Sequence, residues 1–235
     1  MTENERKNII ANAKDFFRKE LFETHIDNSY TKASLLKSYN VNPFLIKYLA
    51  CFLEGNDSPQ SIAKALVYPR VLGTSINTSF GNKTQKMINT LFSGFGSTTQ
   101  GIDIEFIDAI DGRKKYCQVK AGPNTINKDD VKTISDHFQS VKNLARTNNL
   151  DVGINDLVVG VLYGKIEDLS ANYKKLNENF NVYIGKDFWL HLTGDEDFYS
   201  QLTDAIGEIA LEYNCSKQLD GIINALADEI SSKGL

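Results

Sequence analysis

Apolar residues in the first third of the chain recur at three- and four-residue intervals. Ile9, Ile10, Ala13, Phe16, Phe17 and Leu21 mark one face of a helix over residues 3–23. A second helix is predicted over 31–39. A third begins at Pro43, carries Phe44, Leu45, Ile46, Tyr48, Leu49 and Phe52, and ends at Gly55, because glycine accepts the left-handed turn that stops a helix. Ser58-Pro59 reads as an N-cap followed by proline in the first turn, which opens a helix to about Val67. Tyr68-Pro69 is expected to end it, since the residue before proline avoids helical geometry. Another helix is predicted from Phe80 to Phe92 with Met87, Ile88 and Leu91 inward, closed by Ser93-Gly94-Phe95-Gly96.

The period then changes. Residues 102–110 alternate apolar and polar, Asp111-Gly112 is a hairpin turn signal, and residues 114–121 alternate again. Gly122-Pro123 breaks the second strand. A long helix follows over 128–147, with Asn127 as N-cap, Asp129 and Asp130 in the dipole-favoured first turn, and Val131, Ile134, Phe138, Val141 and Leu144 or Ala145 as its buried stripe. Residues 157–163, LVVGVLY, have the length and branching of a buried strand. A helix near 170–178, a strand near 180–184 and helices over 196–213 and 217–232 complete the pattern. The fold class is α/β: a mixed β-sheet flanked by helices, with N-terminal and C-terminal helical segments. The whole chain, 1–235, reads as a single domain, with a mainly helical part over 1–75, a core over 76–190 and terminal helices over 191–235.

Composition narrows the class. Of 235 residues 41% are hydrophobic and 24% charged, which is ordinary globular usage and excludes a disordered or fibrous chain. No apolar run approaches the roughly 18–20 residues that span a bilayer, and the polar start lacks the core of a signal peptide, so a soluble, cytoplasmic protein is expected. Cys51, Cys117 and Cys215 are far apart without C-x-x-C spacing, which argues for free thiols. The formal charge of −4 hides an asymmetry. Residues 61–150 carry 12 Lys/Arg against 7 Asp/Glu, whereas residues 151–235 carry 6 against 15. An anionic partner would be held by the middle of the chain.

The hairpin concentrates the chemistry. Asp103 and Glu105 share a face of the first strand, and Gln118 and Lys120 share a face of the second. Counting back from a two-residue turn at Asp111-Gly112 sets Lys120 opposite Asp103 and Gln118 opposite Glu105. Paired carboxylates favour a divalent cation between them, hard oxygen ligands suit magnesium, and a nearby lysine can position an attacking water. The alternative is a cross-strand Asp103–Lys120 ion pair on an exposed sheet face. The polar turn Gly122-Pro123-Asn124-Thr125-Ile126-Asn127 delivers the chain to a helix N-terminus, which can offer N–H groups to a phosphate or simply cap the helix.

Asp103, fourteen residues, then Gln118-Val119-Lys120 resembles the PD-(D/E)XK nuclease pattern. Longer strings are similar to type II restriction endonucleases that cut GGNCC and GGWCC sites: Asn42-Pro43-Phe44-Leu45, residues 65–75 (ALVYPRVLGTS), residues 101–106 (GIDIEF) and residues 116–125 (YCQVKAGPNT). The resemblance implies a restriction-endonuclease-like core and Mg²⁺-dependent hydrolysis of double-stranded DNA at a short, GGNCC-like palindrome. A two-fold site implies a homodimer, each subunit cutting one strand. Asp103 would be the metal-binding acid, with Ile102 in place of the usual proline, and Lys120 the catalytic lysine. Gln118 stands where most of the superfamily has Glu or Asp, so the second metal ligand is either Gln118 or Glu105, or a role they share. The other nuclease readings are a repair or junction-resolving enzyme and a DNA-binding protein disabled at Gln118.

Secondary candidates follow. Asn124, Thr125, Asn127 and Lys128 are DNA-contact candidates at the turn, with Lys132 and Lys142 farther along the helix. Arg70, among Thr74, Ser75, Asn77, Thr78 and Ser79, either contacts a phosphate or guanine or ties its loop to a helix. Gln85 is a possible outer contact of the site. His137, beside core Phe138, reads as a structural histidine near it. His25 and His191 show no partner spacing, and Trp189 reads as core or interface.

Overall fold

The computed structural model describes residues 1–24, 31–213 and 215–233; the side chains at 75, 82 and 85 also lie outside the description. Its centre is a four-stranded sheet in the order β1-β2-β3-β4. Strands β1 (Ile104–Ile107) and β2 (Lys114–Lys120) are the predicted antiparallel hairpin. Strands β3 (Leu157–Val161) and β4 (Asn181–Ile184) follow in parallel, so the sheet is mixed as expected.

The hairpin register differs from the sequence count by two residues: Ile104 pairs with Cys117 and Glu105 with Tyr116. The reason is a longer connection. Asp108 N–H bonds the Arg113 carbonyl and Gly112 N–H bonds the Asp108 carbonyl, with Gly112 at φ +71°. The Asp108 side chain accepts from Ile110 N–H, and that of Asp111 from Arg113 N–H, so six residues make the turn instead of two. A shift of two preserves side-chain parity, and Asp103, Glu105, Gln118 and Lys120 keep the faces the alternation assigns them.

The chain divides into two compact units, residues 1–13 with 85–205 and residues 14–84 with 206–235. In the first, the long helix Lys128–Thr147 lays Val131, Ile134, Phe138 and Val141 against Val159, Val161 and Ile184 of the sheet. Helix Lys186–Thr193, which the periodicity reading did not identify, brings Phe188 and Trp189 to the core, where they join Phe92 and Phe198. Gly160 in β3 makes room for it: a Cβ there would lie 2.3 Å from the Phe188 ring. The second unit packs helices Pro43–Glu54, Pro59–Pro69 and Ser216–Lys233 around Ile46, Ala50, Ile62, Val67, Ile223 and Leu226. Ser58 caps the second of these helices as predicted, and Asn42 caps the first.

Two helical expectations change. Over 31–39 the helix covers only residues 31–33, and a separate 3₁₀ turn, Leu36–Ser38, follows it. Pro69 does not end its helix. The chain continues through a π-helical segment, Arg70–Ser75, into helix Ile76–Leu91. Proline has already removed one i→i−4 bond at that point, and the wider i→i+5 turn absorbs its ring.

The hairpin end away from Asp103 holds a buried ionic cluster that sequence spacing did not reveal. The Lys115 ammonium, 0% exposed, lies 2.5 Å from Asp111, 3.5 Å from Asp156 and 3.7 Å from Asp108. Arg113 donates to both Asp156 oxygens at 2.8 and 2.5 Å, and His191 Nδ1 lies 2.8 Å from Asp108, so His191 has a partner after all. The Arg113 hydrogen bonds hold the Asp156 carboxyl down at about 2, below the ordinary 3.8. A lowered folded pKa contributes stability that is complete above the unfolded value and is lost as pH falls from about 4 to about 2. A shift of that size corresponds to roughly 2 kcal/mol. Urea unfolding at pH 6 and pH 2.5 is expected to show the wild type losing about 2 kcal/mol more than Asp156→Asn; equal losses would assign the acid sensitivity to other groups.

Candidate active site

Asp103 lies just before β1 and is fastened to β2 on both sides of Gln118. Its N–H bonds the Cys117 carbonyl at 3.0 Å, and its Oδ2 accepts from Val119 N–H at 2.8 Å. Gln118, rather than Lys120, is therefore the immediate neighbour of Asp103. Gln118 is only 4% exposed, while Asp103 and Lys120 are half-buried. The Gln118 amide nitrogen lies 2.9 Å from His137 Nδ1, and its Oε1 receives no hydrogen bond among the described residues. His137 is thus the satisfied histidine the sequence suggested, but its partner is a site residue. Lys120 ends β2 opposite Val161 of β3, and among the described residues its ammonium has no ion-pair or hydrogen-bond partner. The alternative Asp103–Lys120 ion pair does not form.

Glu105 faces the outer edge of β1. Ser97 and Thr99 hydroxyls donate to its Oε1 at 2.6 and 3.2 Å, and the Lys114 ammonium lies 2.6 Å from its Oε2. Burial opposes its charge, but the Lys114 and Ser97 hydrogen bonds outweigh burial and leave the carboxyl below its usual range. Cys117, fully buried on the opposite face, has its thiol pushed up by burial and by the Asp103 charge, which makes it inert.

The turn after β2 is rigid. Tyr173 OH donates to the Gly122 carbonyl at 3.0 Å and shares a hydrogen bond with Thr125 Oγ1. Asn127 accepts from Asp129 and Asp130 N–H, and Asp130 accepts from Asn127 N–H, a reciprocal helix cap. Thr125 and Asn127 thereby hold the loop's shape, and Asn124 and Lys128 stand exposed beside it. In the second unit, Arg70 donates to the Ser38 carbonyl and its guanidinium sits 4.7 Å over the Tyr39 ring. It lines a cavity of about 720 Å³ together with Lys32, Asn42, Thr74 and Thr78. The side chain of Gln85 and all of His25 lie outside the described residues.

The donor set suits a hard cation. Asp103 offers carboxylate oxygen and Gln118 an uncommitted amide oxygen, both ligand types that magnesium and calcium accept. No three His, Cys, Asp or Glu side chains gather into a metal cluster among the described residues.

A central hairpin extended by two parallel strands and flanked by helices is a restriction-endonuclease-like core, the fold of a DNA-cleaving enzyme. Its chemistry is cleavage of phosphodiester bonds in DNA. The chain belongs to the EcoO109I family of type II restriction endonucleases, whose family model matches residues 6–214. No curated protein matches it. Members of this class typically require a divalent metal. Among the described residues no helix is long and apolar enough to cross a membrane.

Proposed function

We propose that this enzyme is a Mg²⁺-dependent homodimer that cuts both strands of double-stranded DNA at a short, GGNCC-like palindrome. The observation that carries the catalytic reading is the fastening of Asp103 around Gln118, with the unpartnered Lys120 two residues further along β2. Asp103 and Gln118 would hold the cation, and Glu105 would add negative charge nearby. When bound, the cation polarises a phosphoryl oxygen and offsets the charge that develops on it. Lys120 donates hydrogen bonds that orient the attacking water or the scissile phosphate. The buried Gln118 keeps bulk solvent from the base of the site. Asn124, Thr125, Asn127 and Lys128 at this turn are the candidate contacts to the duplex backbone, and Arg70, tied to Ser38 and Tyr39, is a separate candidate in its own unit.

Support for a dimer comes from helix Pro43–Glu54. Phe44, Tyr48 and Phe52 form a stripe at four-residue spacing and are 88%, 63% and 80% exposed. An aromatic stripe of this kind marks an interaction surface, and a second copy matches the symmetry of a palindrome. The test is a digest of unmethylated plasmid with Mg²⁺ or EDTA, run-off sequencing of the ends, and the solution mass by light scattering. Mg²⁺-dependent fragments ending at one palindrome, from a protein of twice the chain mass, are expected. Intact DNA under both Mg²⁺ and Mn²⁺, from folded protein, overturns the enzymatic reading.

A further inference from the structure

A glutamine at a metal-ligand position has a defect that a carboxylate lacks. Its amide has one oxygen and one NH₂ group of nearly the same shape. Turned one way it offers a lone pair to a cation; turned the other way it presents two N–H donors and repels it. Something must choose. We propose that His137 is the positioning residue that fixes the Gln118 amide with its oxygen toward the cation, an inference that rests on the metal-dependent reading above.

Four observations support it. The Gln118 nitrogen lies 2.9 Å from His137 Nδ1. An amide NH₂ can only donate, so Nδ1 must accept, and the neutral ring carries its proton on Nε2. The ring has no freedom to turn away: Gly101, at φ +78°, closes against it so tightly that a Cβ there would lie 2.3 Å from Cγ. His137 also projects from a helix whose neighbouring Phe138 is fully buried in the sheet core, which anchors the backbone beneath the ring. Gln118 itself is almost fully buried, so its amide has few other hydrogen bonds to choose from. Glycine at 101, histidine at 137 and glutamine at 118 therefore act as one unit. A glutamate at 118 would have two equivalent oxygens and no need of the orientation.

The experiment reads the ring and the cation directly, apart from cleavage. ¹⁵N NMR of the metal-free protein is expected to show His137 with its proton on Nε2 and an accepting Nδ1; an Nδ1–H tautomer overturns the proposal. Mn²⁺ binding, followed by electron paramagnetic resonance, is then compared across six proteins: wild type, Asp103→Asn, His137→Ala, His137→Gln, Gln118→Glu and the Gln118→Glu/His137→Ala double variant. Loss of a residue that orients a metal ligand typically weakens affinity 10–100-fold. His137→Ala is expected to weaken Mn²⁺ about tenfold in the wild-type background and less than twofold in the Gln118→Glu background. His137→Gln, which restores an acceptor, is expected to recover part of the loss. Equal loss in both backgrounds would assign His137 a merely structural role and sink the inference. Unchanged affinity in His137→Ala, alongside lost binding in Asp103→Asn, would sink it while leaving the metal reading intact. Failure of the wild type to bind Mn²⁺ would overturn both.

Discussion

Lys120→Ala is expected to lower the rate of DNA cleavage by roughly a thousandfold, a loss typical of removing one preorganised donor from a developing charge. Among the described residues the Lys120 ammonium has no structural partner, so removing it breaks no hydrogen bond or ion pair in the resting protein. Its half-buried stem lies at the end of β2, and truncation there is expected to move stability by less than about 1 kcal/mol. Asp103→Asn is expected to match the loss in rate by weakening the cation's charge partner, with the side chain still able to accept from Val119 N–H through its amide oxygen. Single-turnover cleavage of a short duplex, paired with unfolding curves for each variant, checks both. A Lys120→Ala enzyme within tenfold of wild type would remove Lys120 from the mechanism.

The largest stability effect is expected far from that site, at Lys115→Met. The ammonium is fully buried among Asp108, Asp111 and Asp156 and also donates to the Asn155 carbonyl at 3.1 Å. Methionine keeps the volume and removes the charge, leaving buried carboxylates with fewer counterions. Breaking a buried ion network from one side typically costs about 3–5 kcal/mol. Arg113 and His191 still hold Asp156 and Asp108, which places the expected loss at the lower end, about 3 kcal/mol. The exposed Lys132→Met serves as control and is expected within about 0.5 kcal/mol of wild type. Urea denaturation that finds both variants equally stable would show the cluster to be energetically neutral.

These two lysines illustrate how differently the chain's parts can be read in advance. Lys120 was legible because its motif is local: alternation sets the face, and the run from Gln118 to Lys120 lies within one strand. Lys115 sits in the same strand with the same alternation, yet its role was invisible. Its partners Asp156 and Asp108 are brought to it by a parallel neighbour strand and by a turn whose length the Asp111-Gly112 signal misjudged. His191 was read as lacking a partner for the same reason, since Asp108 lies 83 residues away in sequence.

Local physics therefore settled the element types: the helix stripes of Met87, Ile88 and Leu91, the caps at Ser58 and Asn127, the buried strand at 157–161 and the shared face of Asp103, Glu105, Gln118 and Lys120. Each depends on interactions within a few residues, or on a two-residue period that survives a register error of two. Tertiary structure alone decided which of those residues meet. It fastened Asp103 to the neighbours of Gln118, turned Glu105 toward Ser97 and Lys114, carried helix 59–69 past its proline and placed the His137 ring on the Gln118 amide. Those contacts depend on loop length and on packing between distant segments, and neither leaves a periodic trace in the order of the amino acids.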